Sequence, residues 1–153
     1  IKQVANNGKL GRNAPINSFG INGTAYELQA CQIYFGLQRL EKWQNRREKI
    51  SKYYIENLAD LPLSYIVPNE HCASNFHKFV LLHEKRDEIH DYLKANNVDV
   101  QKHYTDSFND FIIDKKEMPN TIMLCNSVLS IPNNQWLTDA EVETVAQTIK
   151  KFF

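Results

Sequence analysis

Cysteine is scarce in this chain: Cys31, Cys72 and Cys125 are an odd number, with no two close together. That argues against a disulfide framework or a zinc ribbon, which need closely spaced pairs, and it fits a reducing, cytoplasmic setting. Net charge is lacking too. Eighteen Lys and Arg balance eighteen Asp and Glu, so no overall field draws the chain to nucleic acid or to an acidic membrane. No apolar run approaches a transmembrane span, and Ile1 to Gly8 holds no signal-peptide core. Repeats and low-complexity tracts are also missing. The first residue is not methionine, and the opening reads as that of a fragment or a processed product.

What is present is ordinary globular material. The 153 residues, 42% hydrophobic and 24% charged, suffice for one domain with a real core. Glycine and asparagine crowd the start: Gly8, Gly11, Gly20 and Gly23, with Pro15 and five asparagines, predict an irregular segment over residues 1–23. A loop that long is either functional or separated from what it packs against.

A long helix is predicted over roughly 25–59. Thr24 and Glu27 have capping-box spacing. Leu37, Leu40, Trp43, Ile50, Tyr54 and Leu58 recur at helical intervals as one stripe. The first turns, Leu28 to Leu37, are apolar nearly all round, and such a helix needs cover on every side. Strands are predicted at Leu63–Val67, Asn75–Leu82 and Val98–His103. Helices are predicted at Glu84–Asn96, at Pro119–Leu129 with proline in the first turn, and after the Thr138–Glu141 capping box, where Val142, Val145, Ala146, Ile149 and Phe152 share a face. Residues 104–118 read as a loop. The fold class is α+β: a long N-terminal helix, then a small, mostly antiparallel sheet with helices packed on it.

Three places could carry chemistry. Gly20-Ile21-Asn22-Gly23-Thr24 runs into a helix start, where free N–H groups and the helix dipole favour an anion; the alternative is a plain helix start with glycine turns. His103-Tyr104 ends a predicted strand, where binding groups gather; the alternative is a surface histidine beside a packed tyrosine. His77 alternates with Phe76 and Lys78 and reads as a half-buried, hydrogen-bonded histidine. His71, Cys72 and His77 lack a further ligand pair at metal-site spacing, so no metal is expected. No Ser-His-Asp or Cys-His set can be singled out, since its members need not be adjacent.

Five blocks together resemble a known family. Gly20 to Ala30 is similar to the G-x-N-x-R-x-x-E-x-Q-A signature of the DegT/DnrJ/EryC1/StrS sugar aminotransferases. Leu40 to Arg47 resembles that family's L-x-x-W/I-x-x-x-R helix, and Phe76 to Val80 its Y-H-x-Y/F-V strand. Val98 to Tyr104 resembles its G-I-x-x-x-x-H-Y segment. Val128 to Pro132, followed by Leu137 to Val142, is similar to its L-S-L-P and L-T-x-x-E-V ending. The blocks fall in the family's order across nearly the whole chain.

The resemblance implies the C-terminal domain of a fold-type-I enzyme dependent on pyridoxal 5'-phosphate (PLP), about twice this length and working as a homodimer. Residues 1–24 would be loop left from the junction with the large domain. Residues 25–153 would be the small domain with its linking helix. The implied activity transfers an amino group, typically from glutamate, onto a keto group of a nucleotide-linked sugar, a step of cell-surface polysaccharide biosynthesis. The lysine that binds PLP would lie upstream, leaving no catalytic residue in this chain, which alone is expected to be inactive. Asn22 and Gly20 would reach the cofactor phosphate of the neighbouring subunit, and His103, Tyr104 and His77 would face the substrate.

Three departures stand out. Thr24 replaces the signature arginine, Thr105-Asp106 follows His-Tyr where proline is common, and Asn7 replaces the histidine of an H-G turn. They leave room for a sugar dehydratase or a regulatory relative. A reading of another class is a non-catalytic interaction module whose apolar helix 28–37 binds a partner helix.

Overall fold

The computed structural model describes residues 2–10, 14–16, 18–21, 23, 26–66, 68–107 and 118–153. They fall into two compact units, Ile1–Glu41 and Lys42–Phe153.

In the first unit the predicted loop contains a helical turn, α1 (Lys2–Ala5), and an antiparallel bridge between Lys9 and Ile16. The turn ends in a Schellman closure. Gly8 N–H donates to the Gln3 carbonyl at 3.0 Å, across Asn7 in the left-handed region at φ 55°. Asparagine tolerates that conformation better than other side-chain-bearing residues, and this is why a segment dense in Asn and Gly still forms a helical turn. Two glycines are needed for close packing. A Cβ on Gly8 would lie 1.9 Å from the Ser18 carbonyl oxygen, and one on Gly20 would lie 1.9 Å from the Gly8 nitrogen.

Helix α2 (Glu27–Leu37) begins where Gln29 Oε1 accepts the Tyr26 N–H at 3.0 Å; the predicted Thr24 cap lies outside the described residues. The predicted long helix is broken. A turn at Gln38–Arg39, tightened by Arg39 N–H donating to the Gly36 carbonyl at 3.1 Å, separates α2 from α3 (Leu40–Asn57). Gly36 is the weakest helix former in α2. No described side chain of α2 is buried, and Leu28 stays 74% exposed.

In the second unit α3 buries Ile50, Ser51 and Tyr54, with Leu58 just beyond it. The sheet is antiparallel, in the order β1 (Ser64–Tyr65), β2 (Phe79–Leu82), β3 (Val128–Ile131). Phe79 faces Ile131, and Val80 faces Ser130. Helices α4 (Arg86–Ala95), α5 (Pro119–Ser127) and α6 (Asp139–Lys150) complete the layer. Ile89 and Leu93 of α4 join Val142, Val145, Ala146 and Ile149 of α6 in the core. The Thr138 cap forms as predicted: its Oγ1 accepts the Glu141 N–H at 3.2 Å, and Glu141 Oε2 accepts the Thr138 N–H at 2.8 Å. No described helix is long and apolar enough to cross a membrane. The α+β class with a small antiparallel sheet is the observed one.

Two strand predictions and one helix end need correction. The third strand is Val128–Ile131, whose first two residues fall at the end of the predicted Pro119–Leu129 helix. Its four residues are all buried, and so short an apolar run has no period to separate strand from helix. The predicted strand at Val98–His103 makes only a bridge, Gln101 with Ser130, although Val98 and Val100 are buried. The predicted strand from Asn75 begins only at Phe79. Ser74 Oγ accepts the Phe76 N–H and Asn75 Oδ1 accepts the His77 N–H, both at 3.0 Å. These local bonds compete with ladder pairing, and they hold Phe76 at φ 44°.

Candidate functional site

The second unit gathers its polar chemistry around His103. Gln101 and Ser130 exchange two backbone hydrogen bonds, of 3.1 and 2.8 Å, fixing the 98–103 segment against β3. Lys102 ties the same segment to α4 through Asp87 at 2.6 Å. Asp87 also pairs with buried Arg86 at 2.6 Å. The Arg86 guanidinium in turn donates to the Cys125 carbonyl at 2.9 Å, near the end of α5. The Lys102 and Arg86 hydrogen bonds hold the Asp87 carboxyl below its ordinary range.

So anchored, His103 meets two partners. Its Nδ1 is 3.0 Å from Ser130 Oγ, and its Nε2 is 2.9 Å from Lys78 Nζ. An ammonium can only donate. Nε2 therefore accepts, and the proton sits on Nδ1, which donates to Ser130. This is a neutral imidazole with its tautomer fixed from both sides. Its pKa is lowered from the ordinary histidine value, first by burial and then by the charges of Lys78 and His77. Tyr104 stands edge-on to the His103 ring, centroids 5.4 Å apart, with 71% of its surface exposed.

The turn that carries His77 and Lys78 is held from below. Buried Asn133 donates through Nδ2 to the Phe76 carbonyl at 3.0 Å and to Ser51 Oγ at 2.9 Å. The carbonyl can only accept, which fixes the orientation of the amide. Ser51 Oγ passes the chain on to the Arg47 carbonyl at 2.9 Å, and Gln44 holds the Ser74 carbonyl at 3.2 Å. Helix α3 and the 133 loop thus set where Lys78 stands.

Of the residues singled out in the sequence, His103 and Tyr104 are adjacent in space. His77 is exposed, and its charge is felt at His103. Lys78 and Ser130 were missed. Strand alternation put Lys78 on the face opposite His77, and the Asn75 turn cancels that alternation. Ser130 lies just past the predicted helix end at Leu129, in a short apolar run with no strand alternation to mark it.

At the glycine turn, Asn22 lies outside the described residues. Gly20 is packed against Gly8, the Gly23 N–H donates to the Ala5 carbonyl at 2.8 Å, and the Ile21 carbonyl accepts from Asn7 at 3.0 Å. The Gly23 amide is thus engaged within the chain. Among the described residues no group of three His, Cys, Asp or Glu could hold a metal. His71 is exposed, with Glu70 at 3.4 Å, and Cys72 is exposed.

The sheet, its packed helices and the helix pair before them define the chain as part of an aminotransferase fold. It superposes on the crystal structure of DesV from S. venezuelae, solved in complex with a ketimine intermediate. The TM-score is 0.90 at 23% identity, over 99% of this chain and 42% of that one. The chain belongs to the DegT/DnrJ/EryC1/StrS aminotransferase family, whose pattern matches residues 1–150. It is 29% identical over 139 residues to the erythromycin biosynthesis sensory transduction protein EryC1 of Saccharopolyspora erythraea, covering 86% of this chain and 38% of that protein. It is 25% identical over 147 residues to the dTDP-4-amino-4,6-dideoxy-D-glucose transaminase of Shigella dysenteriae, covering 89% of this chain and 40% of that protein. The chain thus spans about two fifths of the length of these relatives.

Proposed function

We propose that this chain is the C-terminal part of a PLP-dependent aminotransferase that transfers an amino group, with glutamate as donor, onto a keto group of a nucleotide-linked sugar. The observation that carries this reading is the Lys78–His103–Ser130 cluster with exposed Tyr104 beside it, in a chain of this family. PLP, when bound, supplies the electron sink for the transfer. The lysine that holds it lies outside this chain, and the chain alone is inactive. Residues 1–24 form the junction with the cofactor-bearing domain, and residues 25–153 form the small domain.

In this reading His103 and Tyr104 bind and orient the sugar nucleotide, with His77 at the edge of the pocket. The neutral form of His103 is favoured; with both ring nitrogens engaged by Lys78 and Ser130, it lines the pocket with its ring and positions the Lys78 ammonium. The Asn22 side chain reaches the cofactor phosphate of the neighbouring subunit in a cytoplasmic homodimer. Asn22→Ala in the full-length protein weakens PLP retention on dialysis, with the fold intact by circular dichroism.

The decisive experiment uses the full-length protein with glutamate and keto-sugar nucleotides. A PLP absorbance band that borohydride fixes to the protein, together with amino transfer to sugar, supports the reading. A protein that neither holds PLP nor aminates any keto sugar refutes it. The name of the EryC1 relative, a sensory transduction protein, is the observation that favours a second, regulatory reading. The residue at the upstream lysine position separates the two.

A further inference from the structure

We infer that Lys78, with His103 and Tyr104, forms an oxyanion subsite that takes the diphosphate of the sugar nucleotide. The inference rests on the nucleotide-sugar reading above. It starts from how the cations of this unit are partnered. Arg46 and Lys49 share Asp139, Lys94 pairs with Asp99, and Lys102 pairs with Asp87. Lys78, like Lys42, Lys85, Lys150 and Lys151, has no carboxylate partner among the described residues, but unlike theirs its ammonium is held by another side chain. Its one recorded hydrogen bond goes to the lone pair of a neutral imidazole.

An ammonium has three donors, and the imidazole occupies one. A phosphate oxygen is a far better acceptor for the others, because hydrogen bonds between two ions are shorter and about twice as strong as neutral ones. The surroundings favour such a guest. His77 adjoins Lys78, and Tyr104 stands exposed against the His103 ring with a phenolic donor. The position is also built. The Asn133 and Gln44 hydrogen bonds fix the turn beneath Lys78, and Ser130 fixes the ring it leans on. A diphosphate arriving at Nζ meets a cation already in place, which removes part of the ordering cost of binding.

The carboxylate of the amino donor is the other oxyanion such an enzyme meets, and the test separates the two. Full-length protein with PLP bound, so that the cofactor's own phosphate site is filled, is titrated calorimetrically with inorganic pyrophosphate and separately with glutamate. Lys78→Met weakens pyrophosphate binding about tenfold or more and leaves glutamate unchanged, whereas Lys78→Arg stays within about threefold of the parent for both. Unchanged pyrophosphate binding in Lys78→Met overturns the subsite. So does a loss confined to glutamate, and so does an equal loss in Lys78→Met and Lys78→Arg, which would point to packing rather than charge. Amino transfer is scored on the same preparations. Intact transfer with unaltered pyrophosphate binding in Lys78→Met sinks the subsite alone. A Lys78-dependent pyrophosphate site in a protein that transfers no amino group sinks the function reading alone.

Discussion

Asn133 is the pin between the core and the site, and Asn133→Ala is the sharpest test of how the site is held. The side chain is 7% exposed and donates two hydrogen bonds, one to Ser51 Oγ and one to the Phe76 carbonyl. Each is worth about 1 kcal/mol net, and a buried acceptor left without a donor costs about 1–3 kcal/mol more. Ser51 keeps its bond to the Arg47 carbonyl, so the Phe76 carbonyl is the main orphan. The sum is about 3–5 kcal/mol, a large share of the roughly 5–15 kcal/mol that holds a domain together. It corresponds to a fall in Tm of about 10 °C or more at this size.

Tryptophan fluorescence is a direct assay for this change. Trp43 and Trp136 are the chain's two tryptophans, both in the second unit, with ring centroids 5.7 Å apart. Urea titration of the chain should show the midpoint drop with the slope unchanged. Ser51→Ala removes the deeper bond and leaves the Phe76 tie, so it should cost about 1–2 kcal/mol. A loss below about 0.5 kcal/mol in Asn133→Ala would mean that the turn carrying Lys78 is held by something else.

Two further predictions follow from the same geometry. His103 has a lowered pKa, so the unfolded chain binds its proton first as pH falls. His103 therefore contributes stability above the ordinary histidine value of about 6.5, and this is lost as pH drops through the lowered folded value. NMR titration of the histidine ring protons should find one imidazole titrating low in the parent and nearer the ordinary value in Lys78→Met; no change would refute the role of Lys78. Gly20→Ala forces a Cβ to 1.9 Å from the Gly8 nitrogen. It should destabilise the first unit by about 1–3 kcal/mol, read as faster proteolysis within residues 1–41 while the tryptophan transition stays put.

Much of this protein is written in local chemistry. The Thr138–Glu141 cap, the inward face of α6 and the Ile89 and Leu93 positions of α4 could be read directly, because helix caps and a period near 3.6 involve only near neighbours. So could the apolar α2, whose composition demands cover and whose side chains stay exposed among the described residues. The five family blocks marked His103 and Tyr104 as worth watching. Where β3 lies, and what His103 touches, depended on partners far along the chain. Val128–Ile131 becomes a strand because β2 pairs with it and the 98–103 segment bridges to it. Lys78 reaches His103 because an Asn75 turn, pinned by Asn133 from beyond β3, undoes the expected alternation. Contacts between residues 25 or more positions apart in the chain leave no periodic trace in sequence, and only the packed structure decides them.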